Sequence, residues 1–484
     1  MRNEEFGTAL EMAAAIKVKK LSVAEVVGAY INIIEENDKQ YNTFITVAKE
    51  SAMRRAGEVQ ALIDKGETLS PLAGVPVSLK DNISTLDLET TCAPKMLAGY
   101  KPVFNADVVD KLESAGLIVI GKNNMDEFAM GGSSETGAFG AVRNPWDTSR
   151  AAGGSSGGGA AAIAAGETPL AVGTDTGGSI GKPCSYCGVT GIKPTYGSVS
   201  RMGIAACASS LDQAGPMGKN IEDCAALLSI MSGQEASEKK SESRDRLKIG
   251  VPRNFLIDNE TAGIVMDIEV RTAVLVAAKE FEAAGTAVEE FEMPLAEYMI
   301  PAYLIISTAE ISSNIAKYDG IKYGYRSANA KTLSEVYRLS RSECFGMEAK
   351  RKIMLGSLVL SSGCYDAYYR KALQVRTLIK EAYKKLFGQF DIILSPVTPA
   401  TAPALDASLS DPVKMYKGGI FNVSVNLAGL PAVTLPCGFD SQGLPIGFQL
   451  IGNVFSEKKL IDAARTFQQC TAHHKIKPGE HNVR

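Results

Sequence analysis

Histidine is nearly absent from this 484-residue sequence, which contains only three, His473, His474 and His481, all close to its end. Chain ends are commonly mobile and exposed, so a precisely held histidine base is not expected there. This scarcity argues against a Ser-His-Asp triad, in which histidine takes the proton of the serine. Any serine chemistry in this chain needs a different base.

The sequence also lacks a strong charge of either sign and any long apolar run. A net charge of -3 and a pI near 5.9 argue against nucleic-acid binding by this chain itself. No stretch of about 18 or more apolar residues is present, which argues against a membrane-spanning helix. The first residues, MRNEEFGTAL, lack the basic and apolar segments of a signal peptide. We therefore expect a cytoplasmic protein.

Nine cysteines are scattered along the chain. An odd, dispersed set is typical of reduced and mostly buried thiols rather than of a disulfide framework. Cys184 and Cys187 have the CxxC spacing of a metal knuckle, but no second CxxC or HxxxH completes four ligands. We expect no metal in this chain, and a metal or redox role for this pair is the alternative.

Apolar segments that resemble buried strands alternate with amphipathic helices. The helix expected at Leu21–Asp38 begins with Ser22 and Glu25, spaced as a capping box. Further helices are expected at 106–116, 264–284 and 457–470, and strands at 74–82, 115–124, 168–178, 247–253, 390–396, 432–438 and 446–452. The alternation predicts an α/β fold around a central sheet that the late strands rejoin. The charged segment 234–246 is predicted to be a surface linker.

The stretch AAGGSSGGGAAAIAAG, residues 151–166, holds two serines among glycines before an alanine-rich run. Ser155 satisfies the G-x-S-x-G pattern of a nucleophile elbow, but its histidine partner is missing. The run also matches a loose dinucleotide-binding fingerprint, which requires a preceding strand, and NPWDTSRAA before it is not expected to be one. A third interpretation is structural, since small residues allow close packing at a helix start.

A second glycine-flanked serine favours chemistry over packing. Ser179 lies in GTDTGGSIG, after a predicted strand, where successive backbone N–H groups can converge on an oxyanion. Lys80 ends the apolar run GVPVSLK, and burial there would lower its pKa from about 10.4 toward neutrality, as a base requires. The competing interpretation is that Lys80 leaves the strand to form an ion pair with Asp81.

The motifs SLKDN, GGSSGGGAAA and GTDTGGSIG occur in an order and spacing that resemble the amidase-signature family. The resemblance covers nearly the whole chain. It implies one domain over residues 1–484, with a large mixed central β-sheet covered by helices on both faces. A helical N-terminal segment is expected over about 1–65.

The same resemblance implies a Lys-Ser-Ser triad. It assigns Ser179 as nucleophile, Ser155 as proton relay after a cis Gly154–Ser155 peptide bond, and Lys80 as base. The amide substrate would form an acyl-enzyme that water then cleaves. The predicted oxyanion hole comprises the backbone N–H groups of Thr176, Gly177, Gly178 and Ser179.

Longer stretches, including 126–147, 188–217 and 424–438, are similar to glutamine-dependent amidotransferase subunits of this family. Such a protein would release ammonia from glutamine for a partner B subunit, which converts Glu-tRNA(Gln) to Gln-tRNA(Gln) with ATP and Mg²⁺. A small C subunit would brace the pair. No cofactor is then expected in this chain, and tRNA contact only through the partner.

Several positions of the expected substrate pocket depart from those relatives. The residues expected to bind the substrate are Tyr303, Arg351, Lys352 and Gly419. Lys352 stands where an arginine is usual, and lysine cannot reproduce a bidentate clamp on a carboxylate. Gly419 replaces an aspartate that can hold an ammonium, Leu304 replaces a tyrosine, and Gly181-Lys182 replaces Arg-Gln. A stand-alone amidase acting on another carboxamide is therefore one alternative, and a non-enzymatic scaffold is another.

Overall fold

Helices and strands alternate along most of the chain. The computed structural model describes residues 6–67, 69–234, 247–259 and 262–480. The helices of this part are α1 (Ala9–Lys17), α2 (Val23–Tyr41), α3 (Lys49–Asp64), α4 (Asp107–Ser114), α5 (Gly157–Ala164), α6 (Gly181–Cys187), α7 (Ile221–Ser232), α8 (Ile268–Ala283), α9 (Ala296–Asn314), α10 (Leu333–Cys344), α11 (Met347–Val359), α12 (Lys371–Leu386), α13 (Ala407–Ser410), α14 (Pro412–Lys417), α15 (Ile420–Ala428) and α16 (Glu457–Cys470). The strands are β1 (Phe44–Val47), β2 (Pro76–Lys80), β3 (Ile118–Asn123), β4 (Arg143–Asn144), β5 (Asp147–Ala151), β6 (Leu170–Asp175), β7 (Thr190–Lys193), β8 (Gln213–Gly218), β9 (Lys248–Pro252), β10 (Ala287–Phe291), β11 (Ile392–Pro396), β12 (Ala432–Phe439) and β13 (Pro445–Gly452).

The predicted elements are present, with boundaries shifted by a few residues. Helix α2 begins with the expected capping box: the Glu25 N–H donates to Ser22 Oγ at 3.2 Å, and the Ser22 N–H donates to Glu25 Oε2 at 2.8 Å. This reciprocal pair satisfies donors at the helix start. One expectation was wrong, because the segment before the glycine-rich run contains β5. That strand pairs with β4 in a separate two-stranded sheet, so it does not supply the strand of a dinucleotide-binding unit.

The centre of the molecule is an eleven-stranded mixed sheet in the order β1-β3-β2-β6-β8-β7-β12-β13-β11-β9-β10. Strands β3, β2 and β6 are parallel neighbours, as are β11, β9 and β10, and the pairs between these groups are antiparallel. The early and late strands meet where β7 pairs with β12, in the register Ile192↔Val433. The predicted α/β fold with a large mixed sheet is confirmed, and the late strands do rejoin it.

Side-chain alternation along the strands divides the core between the two faces of the sheet. On β13, Phe448 and Leu450 join a cluster with α2, α4, α7, α8 and α16, whereas Ile451 joins a cluster with α9, α12 and α15. On β6, Val172 belongs to the first cluster and Ala171 to a smaller one with α5 and α6. Helices therefore cover both faces, as predicted.

The beginning of the described chain is mainly helical: α1, α2 and α3 lie within it, with β1 between the second and third. The predicted linker, 234–246, lies outside the described residues except for Gln234. None of the described helices has the length and apolar character that crossing a bilayer requires. The assignment of the whole chain to one domain stays a prediction.

Candidate active site

Three chain segments meet at the carboxyl ends of the neighbouring parallel strands β2 and β6. Strand β2 ends at Lys80, and because Val77 and Leu79 face the larger core cluster, Lys80 faces the side covered by α5 and α6. Strand β6 leads through the turn 176–180 into α6, and Ser155 lies just before α5. Ligand sites of α/β sheets form at such strand ends.

Lys80 is the buried end of the site. Its side chain is 1 % exposed, and its Nζ donates to Ser155 Oγ at 2.7 Å, to Ser156 Oγ at 2.9 Å and to the Thr174 carbonyl at 3.1 Å. Burial lowers the pKa of Lys80 to about 8, although nearby carboxylates, Asp126 foremost, act to raise it. The neutral amine is therefore well populated close to physiological pH.

Asp81 does not pair with Lys80. Its carboxylate lies 3.7 Å from Lys122 Nζ on β3, and it accepts the Thr91 N–H at 2.9 Å and the Thr91 hydroxyl at 2.5 Å. Successive residues of an extended chain point in opposite directions, so the two neighbours serve different sites. The competing ion pair of Lys80 is not formed.

Asp175 fixes the turn that carries Ser179. Its Oδ1 accepts the Gly178 N–H at 2.8 Å, and its Oδ2 accepts the Ile180 N–H at 2.6 Å. Gly178 has a φ of +105°, and a Cβ there would lie 2.7 Å from the Cβ of Asn422, so the turn requires glycine. Ser179 is only half-buried, which makes it the accessible end of the site.

A backbone hydrogen bond joins the two serine segments. The Ser156 N–H donates to the Ser179 carbonyl at 3.1 Å. Ser155 is fully buried and follows Gly154 through the predicted cis peptide bond. Lys80, Ser155 and Ser179 therefore occupy one region, which runs from a buried amine to an accessible hydroxyl.

A buried carboxylate that the sequence reasoning missed lies beneath the glycine-rich loop. Asp126 Oδ1 accepts the Thr136 hydroxyl at 3.0 Å and the Glu135 N–H at 3.2 Å. A Cβ on Gly154 would lie 2.1 Å from Asp126 Oδ2, so the loop can approach this acid only with glycine. Burial raises the pKa of Asp126, and Lys80 is among the groups that lower it. The sequence pointed to Asp126 only through a pair of adjacent charges in the mostly apolar segment MDEFAM.

Two of the predicted substrate-binding residues lie beside the Ser179 turn. A Cβ on Gly177 would lie 2.5 Å from Tyr303 Oη, so the phenol packs directly on the turn. A Cβ on Gly419 would lie 4.0 Å from the Gly177 carbonyl oxygen. Burial raises the pKa of Tyr303 well above its ordinary value, which keeps the phenol a neutral hydrogen-bond donor.

The other two, Arg351 and Lys352 on α11, contact an acid of their own helix. Arg351 Nη1 donates to Glu348 Oε2, and Lys352 Nζ lies 3.7 Å from Glu348 Oε1. Lys352 Nζ also lies 4.2 Å from the centre of the Tyr416 ring, whose hydroxyl donates to Glu348 Oε1 at 2.5 Å. Both cations therefore have an acidic partner before any ligand binds.

His473 lies outside this cluster of contacts, whereas Cys207 lies close enough to act on the pKa values of Lys80 and Tyr303. His473 stacks on Phe467 of α16 with ring centroids 6.5 Å apart, on the other face of the sheet, and His481 lies outside the described residues. All nine cysteines are free thiols in the structure, and seven of them, including Cys184 and Cys187, are buried, as the sequence predicts. Within the described ranges, no three His, Cys, Asp or Glu side chains group closely enough to hold a metal ion.

A mixed sheet with a buried lysine and two glycine-flanked serines at its strand ends defines a class of protein: the chain belongs to the amidase family. The Amidase family model matches residues 25–461. The predicted membership of the amidase-signature family is therefore confirmed, as is an enzyme of the amidase type. The scaffold interpretation is set aside.

Within that family, the chain is similar to proteins named as the A subunit of glutamyl-tRNA(Gln) amidotransferase. The protein from Agathobacter rectalis is 51% identical over 475 residues, which cover 96% of this chain and 93% of the relative. The protein from Lachnoclostridium phytofermentans is 50% identical over 491 residues, covering 97% and 98%. The crystal structure of the Thermotoga maritima protein of that name matches with a TM-score of 0.74 at 35% identity, covering 97% of this chain and 94% of that one.

Proposed function

We propose that this chain hydrolyses a primary amide through an acyl-enzyme on Ser179, with Ser155 as proton relay and Lys80 as base. The observation that carries the proposal is the buried Lys80 amine, 2.7 Å from Ser155 Oγ and close to the accessible Ser179 turn. An amine that is neutral near physiological pH can accept the proton that serine loses on attacking a carbonyl.

The hydrogen bonds around Lys80 decide which hydroxyl can give it a proton. Ser156 Oγ donates to the Thr174 carbonyl at 2.9 Å and accepts the Thr174 N–H at 3.2 Å, so its hydrogen is already engaged. A neutral Lys80 therefore donates to Ser156 Oγ and the Thr174 carbonyl, and its lone pair accepts the Ser155 hydroxyl. The proton then moves from Ser179 to Ser155 to Lys80, and it returns by the same route to the departing ammonia.

Backbone N–H groups of the turn stabilise the oxyanion that forms when Ser179 attacks. The Gly178 N–H donates to Asp175, so we assign this role to the remaining three of the predicted donors, those of Thr176, Gly177 and Ser179. Loss of one such donor typically costs about 10²–10³ in kcat. Water then cleaves the acyl-enzyme and restores the hydroxyl.

We propose glutamine as the physiological amide, which the similarity to the named amidotransferase subunits supports. The released ammonia would pass to a B subunit that uses ATP and Mg²⁺ to convert Glu-tRNA(Gln) to Gln-tRNA(Gln), with a C subunit in the same complex. The tRNA would contact the partner rather than this chain. Such a complex would work in the cytoplasm, where tRNAs are charged.

A stand-alone amidase acting on another carboxamide is the second candidate, and two observations favour it. Gly419 has no side chain with which to hold a substrate ammonium, although it lies beside the Ser179 turn. Glu348 contacts both Arg351 and Lys352, the cations expected to hold a substrate carboxylate.

Labelling with a fluorophosphonate probe, followed by mass spectrometry, tests the nucleophile. The adduct should form on Ser179 and be lost in Ser179→Ala, whereas Ser155→Ala and Lys80→Ala should slow labelling by about 10²–10⁴. The exposed Ser441→Ala is the matched control and should label as the wild type does. An adduct on another residue, or normal turnover by Ser179→Ala, would contradict the proposal.

The two candidate roles differ in partners and substrate. Co-purification with B-like and C-like subunits, together with ammonia release from glutamine, would support the amidotransferase role. Hydrolysis of simple amides by the chain alone, without glutaminase activity in the presence of those subunits, would support the stand-alone enzyme.

A further inference from the structure

Lys182 is a buried cation close to the proposed nucleophile. It lies on α6, three positions after Ser179, and is only 8 % exposed. Its backbone N–H donates to the Gly178 carbonyl at 2.9 Å, so the chain is already helical between the two residues. Side chains three apart on a helical backbone lie about 5–6 Å apart at Cβ, which places Ser179 and Lys182 on one side of the site.

The ammonium of Lys182 has no partner among the described residues. The other four lysines buried in this part of the chain all have one: Lys80, Lys122 and Lys193 donate to hydroxyl or carbonyl oxygens, and Lys352 pairs with an acid of its own helix. Within the described ranges, Lys182 Nζ forms neither a hydrogen bond nor an ion pair. A largely buried ammonium without a counter-ion favours the binding of an anionic ligand.

The nearest acids do not provide that counter-ion. Asp126 and Asp175 act on the pKa of Lys182 through their charge, raising it against the lowering effect of burial, but neither reaches ion-pair distance. Both oxygens of Asp175 accept backbone N–H groups of the Ser179 turn. The Asp126 carboxylate faces Gly154 and Gly131, where a Cβ would lie 2.1 and 2.3 Å from its oxygens.

Lys182 Nζ faces a glycine of a neighbouring loop. A Cβ on Gly132 would lie 3.0 Å from Lys182 Nζ and 3.6 Å from Met415 Cγ, so the ammonium lies between a side-chain-free loop and the half-buried Met415. A carboxylate would neutralise this ammonium and accept its hydrogen bonds.

We propose that Lys182 binds a carboxylate of the substrate, which makes this enzyme selective for short primary amides that also carry a carboxylate. The inference rests on the proposed amide hydrolysis at Ser179. It assigns the anion contact to Lys182 instead of Arg351 or Lys352, because Glu348 already contacts both of those cations.

The test compares three amides of similar length: glutamine, the monoamide of glutaric acid, and pentanamide, which lacks the carboxylate. For Lys182→Met, the ratio of kcat/KM for either acidic amide to that for pentanamide should fall by about 30-fold or more, mainly through KM. Lys182→Arg keeps the charge and should recover part of that ratio. Lys352→Met makes the same substitution at the alternative anion-binding lysine, and the ratio should fall less there than in Lys182→Met. The exposed Lys417→Met is the matched control and should leave the ratio within about threefold of the wild type.

A binding measurement covers the case in which the chain turns over no amide without partners. Calorimetric titration of Ser179→Ala with the glutaric monoamide should give a Kd that the added Lys182→Met substitution weakens by about 30-fold or more. An unchanged Kd and unchanged ratio, a loss confined to Lys352→Met, or the absence of binding to Ser179→Ala would overturn the assignment to Lys182. Failure of fluorophosphonate labelling at Ser179 would instead refute the proposed hydrolysis, so the two failures are distinguishable.

Discussion

Replacing Lys80 with arginine tests whether Lys80 acts as a base or only as a hydrogen-bond donor. Arginine keeps a positive charge and several N–H groups, but its pKa lies above about 12, so it cannot become neutral near pH 8. If Lys80 accepts the proton of Ser155, the arginine variant should lose activity even where it folds normally. Lys80→Met, which removes both charge and donors, should be equally inactive.

The expected pH dependence follows from the environment of Lys80. Burial places its pKa at about 8 instead of 10.5. At pH 7 about one amine in ten is then neutral, against about one in three thousand for an ordinary lysine. This difference corresponds to about 3.4 kcal/mol in the free energy of deprotonation, at 1.36 kcal/mol per pKa unit. The value of kcat/KM should therefore rise about tenfold per pH unit below pH 8 and level off above it.

The same pKa shift has a consequence for stability. The folded chain disfavours the charged amine, so Lys80 destabilises the fold below pH 8. That penalty fades as the pH rises from about 8 toward 10.5, above which both the folded and unfolded chains carry a neutral amine. The free energy of unfolding should accordingly depend less on pH across this window in Lys80→Met.

Ammonia release, measured across the pH range from about 6 to about 10, provides the assay for the Lys80 variants. Lys80→Arg should lose about 10²–10⁴ in kcat/KM, while the exposed Lys417→Arg serves as the matched control. A flat wild-type profile across that range, or an arginine variant with the activity and inflection of the wild type, would refute Lys80 as the base.

Three other substitutions test separate features of the structure. Gly177→Ala places a Cβ 2.5 Å from Tyr303 Oη and should reduce turnover by about 10²-fold. If this contact is the cause, adding Tyr303→Ala should recover part of the lost turnover. Ser22→Ala removes the capping bond of α2 and should lower the free energy of unfolding in urea by about 1 kcal/mol with turnover unchanged; an unaltered midpoint would contradict the capping role. Asp81→Ala leaves the buried Lys122 without its counter-ion and should lower the free energy of unfolding by about 3–5 kcal/mol. A decrease below about 1 kcal/mol would show that this ion pair contributes little to stability.

Elements with a strong local pattern could be predicted from the sequence. The amphipathic period of α16 gave its range, Glu457–Cys470, and short apolar runs located β2, β3 and β11. Strands β7 (TGIK) and β8 (QAGPMG) were missed because glycine, proline and polar residues hide the strand pattern. Their place in the sheet depends on neighbours that are distant in sequence, which local patterns do not report.

In the proposed catalytic site, too, motifs local in sequence could be predicted, whereas contacts between distant segments could not. Glycine-flanked serines and a lysine at the end of an apolar run were visible because each motif is local. The pairing of Arg351 and Lys352 with Glu348 followed the helical period and was open to prediction, yet the bond from the Tyr416 hydroxyl to Glu348 joins helices far apart in the chain. The lack of a partner for Lys182 within the described ranges becomes visible only when all neighbouring acids are placed.

The order of the central sheet separates the reacting groups from four of the predicted substrate-binding residues. Strands β1, β2, β3, β6, β7 and β8 form one contiguous side of the sheet, whereas β9–β13 form the other side. The part of the chain that supplies the first side also carries the lysine and both serines of the proposed triad. Helices α9 and α11 and the start of α15, which contribute four predicted substrate-binding residues, come from the second part of the chain. Hybrid chains joined within 235–246 would thus inherit the reacting groups and Lys182 from one parent and the four predicted substrate-binding residues from the other. The amide preference of such hybrids would separate the contribution of Lys182 from that of those four residues.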